Sequence, residues 1–273
     1  MNETLYTADP PRHTAAMAAE LFGSRELILR MALRDLQARF GKSLLSYFWL
    51  LFVPAIAVAI PLLLVARRVV PMNDTPLPYA AFVLVNFVLW QLFSATLQSC
   101  ATSLNRAGNL VTRVNFPKAA LVFAAAGQPL AEFLVKLPLV AIVFVWMGIS
   151  VPWQVVLAAV LVVPLLLMAI GAGFLLALVG LVVRDVNHAL GPVLMALMFL
   201  SPVLYPPPAS APFAILNVVN PLSPILTAQQ HLLASGTVPD GGMLSAACVF
   251  SAALFAFGWR TFHVAMPRLA ERA

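Results

Sequence analysis

The chain has 273 residues, of which 62% are hydrophobic and only 10% are charged, whereas soluble domains average about 25% charged residues. So few charges cannot cover a water-exposed surface, which excludes an ordinary soluble enzyme or binding domain and predicts a protein embedded in the lipid bilayer. The net charge of +6 does not indicate a nucleic-acid partner, because the basic residues flank apolar blocks instead of forming one basic face.

The first predicted element is an amphipathic helix that precedes the membrane spans. Ser24 is a suitable N-cap, and two i,i+4 ion pairs are expected beside the apolar face, Glu26 with Arg30 and Asp35 with Arg39. The apolar face consists of Leu29, Leu33, Leu36 and Phe40. We interpret this helix as lying along the inner leaflet of the membrane. A solvated helix, or one whose second apolar face docks a partner, is the alternative.

Six later stretches are long and apolar enough to cross the hydrocarbon, which takes about 20 residues in a helix. They are residues 46–66, 79–101, 119–147, 153–183, 188–205 and 243–262. Between the last two, six prolines break the chain, so we expect short re-entrant helices on the outer side. The predicted fold is an all-α integral membrane protein with six transmembrane helices. Its predicted parts are a cytoplasmic N-terminal segment (1–42), a six-helix domain (43–262) and a cytoplasmic tail (263–273).

The basic residues predict the orientation of the spans. If the N-terminus is cytoplasmic, the inner connections and termini hold 13 of the 16 Lys and Arg residues. The outer connections hold only Arg67 and Arg68, and Lys136 lies within a span. Positive charge is retained on the cytoplasmic side, so we expect both termini to be cytoplasmic.

One span carries charges at membrane depth. Glu132 and Lys136 lie four residues apart in the third span and share a helix face, where each can neutralise the other. We predict an intramembrane charge pair. It lines a pathway or subunit contact in one interpretation and is purely structural in the other.

Polar and aromatic residues mark the first two spans. A polar stripe along the second consists of Gln91, Ser94, Gln98, Thr102 and Asn105. Such a stripe faces either a hydrated conduit or a neighbouring helix, and both interpretations stay open. The aromatic residues are Tyr47, Phe48, Trp49, Phe52, Trp90 and Phe93. Their position favours interfacial anchors, and stacking on sugar rings is the alternative use.

A ridge of small residues, Ala169, Gly173 and Ala177, lies on the fourth span and predicts close contact with another helix.

The sequence offers no catalytic or metal-binding pattern. Gly41, Lys42 and Ser43 match the end of a phosphate-binding loop, but Leu36 occupies the position of its first glycine. The four histidines are scattered and the two cysteines lack metal-ligand spacing. We therefore expect no nucleotide hydrolysis and no metal site in this chain.

Several motifs, in order, resemble the permease subunit of the ABC exporters that move O-antigen, capsular polysaccharide or teichoic acid chains. They are RFGKSLLSYFW (39–49), NLVTRVNFPK (109–118), RDV (184–186), SPVLY (201–205) and NPLSP (220–224). Members of that type-two exporter permease family have six spans, an N-terminal interfacial helix and outer re-entrant helices. Two departures are Ser46, where the family usually has glycine, and Gln229 with Gln230, where an acidic continuation is expected.

The resemblance implies a homodimer that pairs with two copies of a separate ABC ATPase and exports lipid-linked polysaccharide across the bacterial inner membrane. ATP and Mg would bind the ATPase, and this chain would bind membrane lipids and the glycan but no cofactor. An ABC permease for drugs or lipids is the first alternative. A secondary transporter or a membrane-embedded enzyme is the second.

The resemblance also implies site residues. Those expected to contact the ATPase are Arg113, Asn115, Phe116, Pro117, Arg184 and Asp185. Those expected to line a conduit or contact the glycan are Tyr47, Trp49, Phe52, Trp90, Gln91 and Gln98. In the alternative interpretation of residues 105–118, the basic residues only set the topology and Phe116 rests in the inner interface.

Overall fold

A computed structural model gives the fold of most of the chain. It describes residues 19, 22–40, 44–66, 75–108, 116–183, 185–207 and 215–270. Over these residues the chain is helical and contains no β-strand, which confirms the predicted all-α class.

The described residues form eleven helices. In chain order they are α1 (Arg25–Phe40), α2 (Leu44–Ala66), α3 (Tyr79–Ala101), α4 (Ser103–Ala107), α5 (Ala119–Trp146), α6 (Val155–Val160), α7 (Val162–Val182), α8 (Asp185–Leu200), α9 (Ile215–Val219), α10 (Leu222–Ala234) and α11 (Gly241–Ala270).

Four helical segments of the described chain are long and apolar enough to cross a membrane. They are Tyr79–Ala101, Ala119–Trp146, Val155–Val182 and Gly241–Met266. Shorter apolar helices cover Phe48–Ile60 and Asp185–Leu200. The structure therefore supports four of the six predicted spans, and the count of six stays a prediction.

Prolines explain two differences between the predicted and observed spans. The fourth span is interrupted at Leu161, between α6 and α7. Pro164 has no N–H to donate to the carbonyl three to four residues earlier, so the regular helix lapses there. The predicted fifth span reaches residue 205, but α8 ends at Leu200 because Pro202 disfavours helical geometry at Ser201.

The last helix is longer than predicted at both ends. It begins at Gly241, where the carboxylate of Asp240 accepts a hydrogen bond of 2.9 Å from the backbone N–H of Met243 and so caps the helix. It continues to Ala270 through most of the stretch predicted as a tail.

Helix α3 forms the centre of the bundle and packs against α2, α5, α7, α8 and α10. Ala81, Phe82 and Val83 are completely buried on it. Gly173 of the predicted small-residue ridge lies so close to Cys100 that a Cβ there would overlap its side chain. Ala169 and Ala177 are also buried, which confirms that this ridge makes close helix contacts.

Helix α10 is held inside the bundle by its polar residues as well as its apolar ones. The Gln229 side-chain amide donates to the carbonyl of Ala158 over 2.8 Å, which ties α10 to α6. Gln230 is fully buried. The two glutamines that depart from the family pattern therefore face the protein interior.

Helix α1 packs along the first half of α5. Met31 joins the apolar cluster around Leu121, and a Cβ on Gly127 would lie 2.8 Å from the Cβ of Ala32. The packed face thus excludes Leu29 and Leu33, which are exposed. Two of the four residues of the predicted apolar face, Leu29 and Leu33, are therefore available to lipid, whereas Leu36 is half-buried and the side chain of Phe40 lies outside the described residues.

One of the two ion pairs predicted within α1 is confirmed, since Arg30 lies 2.6 Å from Glu26. The Asp35–Arg39 pair is wrong. The carboxylate of Asp35 instead accepts a hydrogen bond of 2.9 Å from Arg34. The side chain of Arg39 extends from α1 to Glu132 on α5. A rule for isolated helices fails here because another helix offers Arg39 a better-placed carboxylate.

Candidate functional site

A cavity of about 610 Å³ lies between α1, α2, α3 and α5. Its lining residues are Arg39, Trp49, Leu50, Val53, Gln91, Ser94, Ala95, Gln98, Glu132 and Lys136. Six residues singled out in the sequence meet here from three different spans, namely Trp49, Gln91, Ser94, Gln98, Glu132 and Lys136. We call this cavity the charged cavity.

The charges of this cavity are arranged around Glu132. Its carboxylate lies 2.7 Å from the Arg39 guanidinium and accepts a hydrogen bond of 2.9 Å from the side chain of Gln128. Glu132 and Lys136 are both buried. Arg39 therefore anchors the helix that precedes the spans to the third span.

The predicted Glu132–Lys136 pair stays a prediction, and the structure adds Arg39 as a third charge beside Glu132. Glu132 and Lys136 do share one helix face and one cavity, but within the described part of the chain Glu132 makes its ion pair with Arg39 and none with Lys136. Helix periodicity identifies neighbours on the same helix only. Periodicity along α5 therefore cannot identify Arg39, because that residue belongs to α1.

The polar stripe of α3 serves two purposes. Gln91, Ser94 and Gln98 line the charged cavity. The side-chain carbonyl oxygen of Gln91 is buried and has no hydrogen-bond partner among the described residues. Further along, Asn105 donates to the carbonyl of Gly180 over 3.3 Å. Gln91, Ser94 and Gln98 thus face a polar space, Asn105 holds a neighbouring helix, and the Thr102 hydroxyl bonds to the Gln98 carbonyl of its own helix.

The aromatic candidates separate into accessible and buried rings. Trp49 is 51% exposed and lines the cavity, with Phe52 in edge contact at 5.5 Å between ring centroids. Trp90 is only 5% exposed and packs against Phe93 in the core. Burial of Trp90 argues against its predicted contact with a glycan. The side chain of Tyr47 lies outside the described residues.

Two of the residues predicted to contact an ATPase are described at one end of the bundle beside α5, and a third at the start of α8. Phe116 is half-buried against the cluster around Leu121, with the Lys118 ammonium 4.6 Å from its ring centroid. Burial lowers the pKa of that ammonium. Pro117 follows Phe116, and Asp185 is exposed at the start of α8. Phe116 is thus less exposed than the sequence suggests. Arg113, Asn115 and Arg184 lie outside the described residues.

These connections belong to the same end of the bundle. The Asn105–Gly180 hydrogen bond joins the end of α7 to α4, and the thiol of Cys100 lies 3.3 Å from the carbonyl of Val122 near the start of α5. Asp185 follows α7 directly. The described ends of the two predicted inner connections therefore lie at one end of the bundle.

A second cavity of about 540 Å³ adjoins the first and shares Arg39 with it. Its lining residues are Met31, Arg34, Asp35, Ala38, Arg39, Ser103, Arg106, Ala107, Leu121, Ala124, Ala125 and Gln128. Sequence reasoning assigned Arg39 to a pair within α1 and gave no role to Gln128. The sequence shows only that Arg39 and Gln128 are polar residues close to apolar stretches. That observation does not identify the residues they contact.

Metal binding and nucleotide binding are the other two kinds of site considered in the sequence. No group of three or more potential metal ligands occurs among the residues that the structure describes. Leu36, at the position of the first glycine of a phosphate loop, lies within helix α1. Residues 41–43 fall outside the described ranges.

Comparison with known proteins matches residues 26–233 to the ABC-2 type transporter family. An O-antigen export system permease protein RfbA from Myxococcus xanthus is 27% identical over 241 residues, which cover 87% of this chain and 92% of that protein. A protein of the same description from Klebsiella pneumoniae is 22% identical over 228 residues, covering 78% of this chain and 82% of that protein. The family match includes every helix that lines the charged cavity.

Proposed function

Because this chain belongs to the ABC-2 type transporter family, we propose that it is the permease subunit of an ATP-driven exporter of O-antigen or a similar lipid-linked polysaccharide. The observation that carries the proposal is the similarity, over 87% of the chain, to an O-antigen export permease. The charged cavity adds a polar space among apolar helices, which the passage of a glycan needs. The membrane is the bacterial inner membrane.

The proposed topology has six spans with both termini in the cytoplasm. Helix α2 has 23 residues and is about 35 Å long, enough to cross the hydrocarbon. Helices α9 and α10 have 5 and 13 residues, so each is too short to cross. Their position between α8 and α11 supports re-entrant helices on the outer side.

The proposed assembly is a homodimer with two copies of a separate ATPase that binds ATP and Mg. Six helices leave little room for a wide polar path inside one protomer, whereas a two-fold pair can form one between its subunits. The ATPase would dock on the connections that carry Phe116, Pro117 and Asp185, with Arg113, Asn115 and Arg184 of the same connections as further contacts.

Deleting the gene and complementing it with this chain tests the proposal. Surface O-antigen should disappear in the deletion strain, while undecorated lipid-linked glycan should accumulate at the inner membrane. Affinity purification should recover an ATPase with the chain, and the purified chain alone should hydrolyse no ATP. Normal surface glycan in the deletion strain, or hydrolysis by the chain alone, contradicts the proposal.

A secondary transporter is less compatible with the site. Glu132 is the carboxylate that lines the charged cavity, and it is already engaged by Arg39 at 2.7 Å. Ion coupling needs a carboxylate that can gain and lose its cation during transport.

A further inference from the structure

Three polar side chains stand between the charged cavity and the second cavity. Arg39 lines both cavities. Its guanidinium lies 2.7 Å from the carboxylate of Glu132, which lines the charged cavity. That carboxylate also accepts a hydrogen bond of 2.9 Å from Gln128, which lines the second cavity. The three linked side chains therefore extend from one cavity to the other, and we call them the partition.

The two cavities follow one another along the same helices. On α5, the residues that line the second cavity lie between 121 and 128, and those that line the charged cavity lie between 132 and 136. On the neighbouring wall, α4 lines the second cavity and α3 lines the charged cavity. The second cavity is thus nearer the end of the bundle that carries Phe116, and the charged cavity is deeper among the spans.

The second cavity has a hydrated lining. Its charged residues are Arg34, Asp35, Arg39 and Arg106. The side chain of Arg34 is 62% exposed, and Arg106 is exposed as well. Charged side chains are far more stable in water than in hydrocarbon, so this cavity is the entrance that water reaches.

The contact that closes the partition is solvated on one side only. The side chain of Arg39 is 54% exposed, whereas that of Glu132 is 10% exposed. When the guanidinium turns away it returns to water at little cost, but Glu132 loses its ion pair. The closed partition is therefore favoured, and opening it requires only that one side chain move.

From these observations we infer that the side chain of Arg39 is a gate to the charged cavity. In contact with Glu132 it separates the charged cavity from the hydrated second cavity, and when displaced it joins the two into one path for water and polar groups. The open form is the minor state of this equilibrium. The inference rests on the proposed function only for the side of the membrane on which the path begins, which is the cytoplasmic side.

Thiol labelling tests the gate. Ser94→Cys places a small thiol in the charged cavity. The measurement is its rate of modification by a membrane-impermeant, anionic methanethiosulfonate in inside-out membrane vesicles, with the chain that lacks this substitution as the baseline. The rate should be low with the natural Arg39 and at least about tenfold higher with Arg39→Gln, because the open population grows when the ion pair is lost. Arg39→Lys should stay close to the natural chain.

Controls separate the gate from charge and from folding. Arg34→Gln removes the same charge from the second cavity but leaves the partition intact, so it should not raise the rate. Loss of a positive charge by itself slows an anionic reagent. Cys100 is completely buried, so its continued protection shows that the bundle stays folded. The double variant Arg39→Gln/Glu132→Gln should label as fast as Arg39→Gln, although it leaves no buried carboxylate without its ion pair.

Each outcome decides a separate point. Equal rates with and without Arg39, or fast labelling of Ser94→Cys in the otherwise natural chain, overturn the gate even if export is demonstrated. Labelling that depends on Arg39 supports the gate. If that labelling occurs only in right-side-out vesicles, the gate holds and the proposed orientation is contradicted. Labelling that depends on Arg39 in a chain that exports no glycan supports the gate and contradicts the proposed function.

Discussion

The guanidinium of Arg39 lies 2.7 Å from the carboxylate of Glu132 and joins the helix that precedes the spans to the third span. Arg39 is 54% exposed at its side chain, whereas Glu132 is 10% exposed. The pair therefore closes one wall of the charged cavity with a partly solvated cation and a buried anion. The contribution of this ion pair to stability depends mainly on the buried residue, Glu132, which accepts a second hydrogen bond from Gln128.

Removing one member of this pair should cost more than removing both. Arg39→Gln leaves Glu132 buried without its cation, and we expect a loss of about 1–3 kcal/mol, below the value for a fully buried pair because Arg39 is half exposed. The double variant Arg39→Gln/Glu132→Gln should recover part of that loss. Thermal unfolding in detergent measures it. Glu26→Gln, which breaks an exposed pair, is the control and should change stability by less than about 0.5 kcal/mol. Additive losses in the double variant would show that the two residues act independently.

Gly171 should not tolerate even alanine. A Cβ at this position would lie 2.6 Å from the backbone of Phe255, which cannot move aside as a flexible side chain can. We expect Gly171→Ala to lower stability by about 1–3 kcal/mol and to reduce the folded yield. Gly191→Ala is the matched control, because a Cβ there meets nothing within 4 Å. Equal unfolding temperatures of the two variants would contradict the observed contact.

Trp49 and Trp90 should differ in what their loss affects. Trp49→Leu removes a ring face from the charged cavity, so export should fall severalfold while the unfolding temperature stays near that of the wild type. Trp90→Leu removes a buried ring from the core and should cost about 1–3 kcal/mol of stability. Surface glycan and thermal unfolding are measured for both. Normal export by Trp49→Leu at normal expression would assign Trp49 to membrane anchoring.

Phe116→Ala should weaken attachment of the ATPase. Truncating an apolar anchor at the centre of an interface typically costs 2 kcal/mol or more, so about thirtyfold weaker association is expected. The measurement is the amount of ATPase that copurifies and its stimulated hydrolysis in nanodiscs. Trp153→Ala, at the other end of the bundle and 77% exposed, is the control. If Phe116→Ala inserts normally and keeps full coupling, the half-buried ring only supports the start of α5.

The sequence predicted the apolar helices well because their length and composition depend on one segment at a time. Tyr79–Ala101 has the predicted bounds, and α5 differs from its prediction by one residue. Predictions that required knowledge of a second helix were less reliable. Arg39 was assigned to Asp35, and Trp90 was grouped with accessible rings although α3 lies at the centre of the bundle. Spacing along one helix identifies its faces, and only packing shows what each face meets.

The close approach of α7 and α11 has a mechanical consequence. A Cβ on Gly258 would overlap the carbonyl of Gly171, and Phe174 contacts both Phe255 and Phe262 along the same pair of helices. Two backbones in direct contact cannot move past each other without a steric clash. We therefore expect α7 and α11 to keep a fixed position relative to each other. Helix α2 is exposed along most of its described length and rests mainly on α3. If helices move apart during a transport cycle, we therefore expect α2 to move and the α7–α11 pair to stay in place.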